Sequence, residues 1–296
     1  MPAIRGARPI RNKEVSDFHF HIEKNNIAIP TLETYADIWE QWMNFSDTKS
    51  ITGLESFKHA DYTQGTSQTF DQFILRHSKD REILVFEGDF QYHACLGKHV
   101  EFKYIDYPHH LESFIRGPGL HALLISAPFS DFGCIHPDFE QIMKVCNVHD
   151  IPVCLDLAYW GISKNIHIDL DLYPCITDVT CSLSKPFFTL ENHRVGIRWT
   201  KDYVDDGISM LNEVKMQNEF SMALGVEYMQ NFSPDYNWTK YNLEYEKICD
   251  ENDLVWTDTV IFGLGDRTRH SEFNRGITDN YRVCISEWLA DVPPAK

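Results

Sequence analysis

Short apolar runs alternate with amphipathic segments between residues 60 and 200. The apolar runs predict buried strands, which lie at 83–86, 101–106, 121–128, 151–156 and 178–184. A short strand near residue 60 leads through a turn into a helix, and further helices are predicted at 111–116 and 138–150. Strands that alternate with helices at this spacing predict an α/β fold with a mostly parallel sheet.

Ahead of this region, the segment DFHFHIE alternates between apolar and polar residues, which indicates an exposed or half-buried extended piece. On a strand, His19 and His21 would share one face, as a divalent metal requires, and the spacing is similar to the metal-binding start of amidohydrolase barrels. The polar residues before it and the lack of a matching later ligand set argue against a metal site. A helix is predicted next, at 31–43.

After Trp199 the pattern changes. It predicts a long helical stretch at 202–230, a helix through Tyr245, a strand at 255–265, and a strand that runs into a last helix at 280–291. We therefore expect three parts, which are an N-terminal arm and helix at 1–45, a large domain at 46–200 and a small α+β C-terminal domain at 201–296.

The charge of the chain limits its partners. A formal net charge of -17 opposes broad binding to nucleic acid or to an anionic membrane surface. The longest apolar run, at 122–129, is too short to span a bilayer. The eight cysteines have no C-x-x-C spacing and several lie in apolar runs, which predicts free thiols in a reducing, cytoplasmic compartment.

Candidate chemistry centres on Lys185, in the segment Ser182-Leu183-Ser184-Lys185 at the end of an apolar strand. A lysine amine becomes nucleophilic when burial or nearby positive charge lowers its pKa. Arg194 follows nine positions later and suits an anion such as a phosphate. This combination suggests an imine-forming lysine beside a phosphate site, as pyridoxal phosphate requires.

Small or polar residues follow several of the predicted strands. The turn Gly65-Thr66-Ser67 starts a helix, where free backbone N–H groups favour a phosphate. Ligands of parallel α/β sheets bind beyond the carboxyl ends of the strands. We therefore expect one crevice, lined by residues that are distant in sequence, namely Gly65, Phe90, Ser130, Asp156 and Lys185.

The order of these motifs resembles that of the fold-type I pyridoxal phosphate enzymes, the aspartate aminotransferase superfamily, and most closely its class I/II aminotransferases. The motifs are the glycine corner, the aromatic after a strand, the turn at 130–133, the D-x-x-Y of Asp156 and Tyr159, and S-x-x-K followed by arginine. The resemblance covers residues 60 to 200 well and the rest loosely. It implies a large domain with a seven-stranded-type, mostly parallel sheet between helices, and pyridoxal phosphate as cofactor.

The resemblance also implies catalytic roles. Lys185 matches the lysine that forms the Schiff base and carries the proton at the substrate Cα. Asp156 matches the carboxylate that pairs with the pyridine nitrogen and keeps it protonated. Tyr159 matches the phenol that donates to the cofactor's O3′ oxygen.

Binding roles follow in the same way. Gly65, Thr66 and Ser67 match the phosphate corner, and Ser182 and Arg194 match its side-chain donors. The remaining matches concern the cofactor ring and the substrate: Phe90, or alternatively Tyr92, as the stacking aromatic, Ser130 near O3′, and Arg282, with Arg275 close by, as the arginine for the α-carboxylate.

The sequence departs from the family at two points. The turn Ser130-Asp131-Phe132-Gly133 has serine where the family usually has asparagine, so the second hydrogen bond to O3′ is expected to be either weakened or supplied by serine. The chain is also short for the superfamily, in the regions that shape the substrate pocket.

These matches predict a homodimeric aminotransferase that acts on an amino acid and a keto acid, with its active sites at the subunit interface. Three alternatives remain open, which are another pyridoxal phosphate chemistry such as a lyase, decarboxylase or cyclase, a non-catalytic relic of the fold, and the amidohydrolase hypothesis.

Overall fold

The computed structural model describes residues 6–23, 27–89, 99–105, 111–274 and 278–293. Within these ranges a seven-stranded sheet has the order β2-β9-β8-β6-β5-β3-β4. Its strands in chain order are β2 (His59–Thr63), β3 (Glu82–Phe86), β4 (Phe102–Ile105), β5 (His121–Ser126), β6 (Val153–Asp156), β8 (Ile176–Ser182) and β9 (Gly196–Thr200). The pairs from β8 through β6, β5 and β3 to β4 are parallel, whereas β9 is antiparallel to both β8 and β2. The predicted α/β architecture with a mostly parallel sheet is confirmed.

The other strands of the described residues form two small sheets. One pairs β1 (Ser50–Thr52) with β7 (His167–Asp169), and the other is the antiparallel set of β10 (Val255–Trp256), β11 (Phe262–Gly265) and β12 (Tyr281–Cys284). The described helices are α1 (Lys13–Glu23), α2 (Leu32–Asn44), α3 (Thr66–His77), α4 (Phe139–Val148), α5 (Gly207–Glu213), α6 (Glu219–Asn231) and α7 (Tyr236–Glu251). The described residues contain no helix that is both long and apolar enough to cross a membrane.

Helices cover both faces of the large sheet. Successive side chains of a strand point to opposite faces, so Ile83 and Val85 pack with α3, whereas Leu84 and Phe86 join a cluster that contains α4 residues. All six residues of β5 are buried, because helices lie on both sides of it. An uninterrupted apolar run is therefore the correct pattern for this central strand.

The alternating segment before residue 24 forms α1 and not an extended piece, so that prediction was wrong. Val15, Phe18 and Ile22 recur at helical spacing, and Phe18 packs edge-on against Tyr228. Phe18 and Ile22 fit both the two-residue period of a strand and the 3.6-residue period of a helix, so the sequence pattern does not decide between them. The contact of Phe18 with α6 decides for the helix. His19 Nδ1 lies 2.9 Å from the Tyr228 hydroxyl, and the described residues contain no cluster of side chains suited to a metal.

Four other element predictions need correction. The stretch at 202–230 is two helices, because Asp206 and Asn218 each cap a helix start with a side-chain oxygen. The segment at 255–265 is two strands, and the segment at 111–116 forms only a single 3₁₀ turn. The described residues after β12 contain no helix.

The buried side chains of the described residues fall into three clusters. The largest contains one face of the sheet together with residues of α2, α4 and α6, and a small one joins α3 to the other face. The remaining cluster joins Tyr245 and Trp238 of α7 to Phe262 and Val283 of the three-stranded sheet. The domain boundary expected at residue 200 stays a prediction. Helix α6 lies after this boundary in the sequence, yet its buried side chains belong to the largest cluster, with those of the sheet.

Candidate functional site

A cleft opens at the carboxyl edge of the large sheet. β5, β6 and β8 end at this edge, and α3 and β9 begin there. The residues that line the cleft are Thr66, Ser67, Ser126, Ser130, Asp156, Ala158, Tyr159, Ser182, Ser184, Lys185 and Arg194. Segments more than a hundred residues apart therefore meet at one place.

One end of the cleft is suited to an anion. Gly65 precedes the first turn of α3, whose unpaired N–H groups carry partial positive charge. Arg194 donates from Nη2 to Ser67 Oγ at 3.1 Å, and within the described ranges no carboxylate forms an ion pair with it. The hydroxyl oxygens of Ser182 and Ser184 lie 3.0 Å apart beside this end. A guanidinium, hydroxyls and a helix start are groups that can bind a phosphate.

Gly65 is required here for two reasons. Its φ of 82° lies in the left-handed region, and a Cβ at this position would lie 2.7 Å from Arg194 Nη2. We expect Gly65→Ala to reduce the free energy of unfolding by roughly 1–3 kcal/mol and to weaken anion binding, because Arg194 must move. Urea denaturation and phosphate binding measure the two effects. Gly117→Ala is the control, since its Cβ would meet Leu120 at an ordinary 3.5 Å; equal effects of the two changes would contradict the prediction.

At the deep side of the cleft, Asp156 ends β6 and is 6% exposed. Its Oδ1 accepts the N–H of Ala158 at 2.9 Å. Burial raises the pKa of Asp156 to about 8; the negative charge of Asp89 adds to this rise, whereas Lys185 opposes it. At neutral pH, and with no ligand, this carboxyl mostly keeps its proton.

The raised pKa of Asp156 predicts a pH-dependent stability difference. The folded protein binds this proton up to about pH 8, whereas an unfolded aspartate loses it near pH 4. Stability contributed by the protonated carboxyl is therefore lost as pH rises through this window. In ligand-free protein, we expect Asp156→Asn to gain stability relative to wild type by up to about 1.4 kcal/mol per pH unit. Thermal and urea unfolding at several pH values test this, and parallel curves for the two proteins would refute it.

Lys185 follows β8 and reaches the same cleft. Its Nζ donates to the carbonyl oxygen of Ala7 at 2.8 Å. Burial is the main cause that lowers the pKa of Lys185, with a smaller contribution from Arg282 and Arg194 and opposition from Glu191. A lowered pKa increases the fraction of neutral amine, which is the nucleophilic form.

Tyr159, Ser130 and Arg282 form a third group. The Tyr159 hydroxyl lies 3.5 Å from Ser130 Oγ. Arg282 is buried behind Ser130 and donates from Nη1 to the Ser130 carbonyl and, at 3.1 Å, to its hydroxyl oxygen. The guanidinium also lies 4.3 Å from the ring centroid of Phe262. Arg282 thus contacts the wall of the cleft, and its role as a carboxylate ligand stays a prediction.

The structure brings most of the expected residues together. Thr66, Ser67, Ser130, Asp156, Tyr159, Ser182, Lys185 and Arg194 line the cleft, Gly65 borders it at Arg194, and Arg282 lies behind it. Phe90, its alternate Tyr92 and the nearby Arg275 lie outside the described residues. Their roles stay predictions.

Sequence reasoning missed four residues, which are Ser126, Ala158, Ser184 and the buried Asp89. Asp89 comes three residues after β3, as a polar residue at the carboxyl end of an apolar strand. The same pattern had identified Asp156, so it could also have indicated Asp89. Ala158 contributes its backbone N–H, which side-chain identity does not indicate.

No family model matches the sequence, and no curated protein matches it. Solved structures match its fold at low identity. The PLP-bound C-S lyase from Staphylococcus hominis has a TM-score of 0.71 at 12% identity, covering 93% of this chain and 84% of that one. Alanine aminotransferase from Pyrococcus furiosus has a TM-score of 0.65 at 14% identity, covering 94% and 85%. A mutant aspartate aminotransferase from Thermus thermophilus has a TM-score of 0.66 at 13% identity, covering 96% and 92%. The chain therefore has the fold of the fold-type I pyridoxal phosphate enzymes.

Proposed function

We propose that this protein is a pyridoxal phosphate enzyme, and that it acts as an aminotransferase on an amino acid and a keto acid. The main support is that Lys185 and Asp156 line the same cleft, which has groups suited to an anion at one end. The residues fit the cofactor. A Cβ on Gly65 would collide with the Arg194 guanidinium, and the carboxyl of Asp156, with its raised pKa, suits a hydrogen-bonded ring nitrogen.

Different residues of the cleft would hold different parts of the cofactor. Arg194, Ser67, Ser182 and the start of α3 would hold its phosphate, and Asp156 would pair with its ring nitrogen. Tyr159 and Ser130 would donate to O3′. The bound cofactor supplies an electron sink for cleavage of a bond at the substrate Cα.

The chain's own residues do the proton chemistry. Asp156 keeps a proton in the ligand-free protein and can share it with a ring nitrogen, which leaves a buried carboxylate opposite a cation. Lys185, with its lowered pKa, can attack a carbonyl as a neutral amine and can then take a proton from the substrate Cα and return it. Arg282 is the proposed partner of the substrate α-carboxylate, next to Ser130.

Reduction of a mixture of the protein and pyridoxal phosphate with borohydride tests the cofactor assignment. We expect visible absorbance before reduction and, after it, a stable adduct on the peptide that contains Lys185, identified by mass spectrometry. A colourless protein with no affinity for pyridoxal phosphate would end the proposal.

C-S lyase chemistry is the second candidate, since a C-S lyase structure shares the fold with a TM-score of 0.71 and since serine replaces asparagine at position 130. An amino-acid panel separates the two reactions. Transamination converts the cofactor to its pyridoxamine form and yields a keto acid, whereas a C-S lyase releases a thiol from a sulfur-containing amino acid. Absence of the pyridoxamine form across the panel would count against the aminotransferase.

We also propose a cytoplasmic homodimer. All seven cysteines in the described residues are free, which is in keeping with a reducing compartment. Exposed apolar side chains on and after α5 support a second copy, namely Met210, Val214, Met216 and Phe220. Sedimentation equilibrium checks the assembly, and a monomer at micromolar concentration would contradict it.

A further inference from the structure

A second buried carboxylate, Asp89, lies beside the cleft and has no role in the function proposed above. Asp89 is 5% exposed. It accepts the backbone N–H of Ser126 at 3.0 Å and also the hydroxyl proton of Ser126. Ser126 is the donor in both contacts, so the Asp89 carboxyl group orients the Ser126 hydroxyl.

The directions of the next hydrogen bonds follow from their donors. The Ser126 hydroxyl has one proton and gives it to Asp89, so its oxygen is the acceptor for the Ser130 N–H at 3.2 Å. At the far side, Arg282 can only donate, and it donates to the Ser130 hydroxyl oxygen at 3.1 Å. The Ser130 hydroxyl therefore keeps its own proton for another acceptor. The Tyr159 hydroxyl, 3.5 Å away in the cleft, marks the direction in which such an acceptor lies.

We propose that Asp89 is a positioning residue, which acts through Ser126 to hold the turn at 126–130 so that the Ser130 hydroxyl donates into the cleft beside Tyr159. Asp89 itself touches neither cofactor nor substrate in this arrangement. The inference rests on the proposed function, because the acceptor of the Ser130 proton is then the O3′ oxygen of pyridoxal phosphate. Ser130 thereby takes over the donor role of the asparagine that this chain lacks.

A carboxylate suits this position better than an amide. In Asp89→Asn, one oxygen remains to accept and the NH₂ group can only donate, so one of the two Ser126 protons loses its acceptor. The Ser126 hydroxyl is then free to rotate, which weakens its contact with the Ser130 N–H and loosens the turn at 126–130 that places the Ser130 hydroxyl. Other charged or titratable groups near the turn are the same in the variant and the wild type, namely Asp131, Asp156, Tyr159, Lys185 and Arg282.

The test is a pH titration of the visible chromophore that pyridoxal phosphate forms with Lys185. A donor to O3′ stabilises the deprotonated chromophore, so weakening that donor raises the midpoint, and we expect a rise of roughly half a pH unit to one unit in Asp89→Asn. If Asp89 acted only as an anion, the same substitution would lower the midpoint, because a nearby anion favours the protonated cation. The sign of the shift therefore separates positioning from simple electrostatics.

Two further variants complete the experiment. Ser126→Ala removes the hydroxyl that links Asp89 to the Ser130 N–H but removes no carboxyl group, and it should also raise the midpoint. If Asp89→Asn does not fold, this variant alone tests the positioning role. Asp178→Asn is the matched control, because Asp178 is also a buried aspartate but lies at the opposite edge of the sheet, paired with Arg76 at 2.6 Å. It should lower thermal stability and leave the midpoint unchanged.

An unchanged or lowered midpoint in both Asp89→Asn and Ser126→Ala, with cofactor bound, overturns the positioning role and leaves the proposed function intact. If the wild-type protein does not bind pyridoxal phosphate, the proposed function fails, and the positioning role fails with its ligand.

Discussion

Under the proposed function, replacing Lys185 with alanine is expected to alter the visible absorbance of the cofactor-bound protein and to reduce turnover by about 10⁴-fold. In the proposed mechanism the substitution removes the nucleophile and the proton carrier at once, because one half-buried amine reaches the cleft from the end of β8. Absorbance spectra and single-turnover kinetics with excess amino acid measure the two losses.

Lys49→Met provides the matched control for that experiment. Lys49 is buried, but its ammonium pairs with Asp235 and donates to the Ser163 carbonyl at 3.0 Å, outside the cleft. The variant should melt at a lower temperature, because it leaves a buried carboxylate unpaired, and it should keep the chromophore. If Lys185→Ala retained the wild-type spectrum while Lys49→Met lost it, the assignment of the reactive lysine would be wrong.

Asp156→Asn is expected to reduce turnover by roughly 10³-fold while it stabilises the ligand-free protein at pH 8. A neutral amide cannot offset a positive ring nitrogen, so the electron sink weakens. Without ligand, the same change removes a carboxyl whose ionisation burial opposes, as its pKa of about 8 indicates. A single substitution should therefore move activity and stability in opposite directions.

Kinetics and thermal melts on the same preparations test this pair of effects. A variant that loses stability and activity together would indicate an ordinary structural aspartate. Asp178→Asn serves for comparison, since its carboxylate pairs with Arg76, and its loss should cost stability with little effect on turnover.

Several features of the fold followed directly from local patterns. The uninterrupted apolar run that forms β5 has the length of a buried strand, and α2, whose start is capped by the Thr31 hydroxyl, follows the helical period, so both leave little ambiguity. The segment that forms α1 satisfies two periods, so its aromatic contacts with α6 were needed to decide. Caps at Asp206 and Asn218 divide a stretch whose composition is helical throughout.

The sequence by itself determined the types of residue that the chemistry requires and their positions at strand ends, because strand and helix periodicity is local and parallel strands expose their carboxyl ends at one edge. It also indicated a turn at Gly65 that leads into a helix, whereas the positive φ and the approach of Arg194, which require glycine there, depend on the tertiary structure. Only the tertiary structure decided that Arg282 lies behind Ser130, that Asp89 holds Ser126, and that burial raises the pKa of Asp156. Hydrogen-bond partners and desolvation depend on which distant segments pack together, and no local period encodes that information.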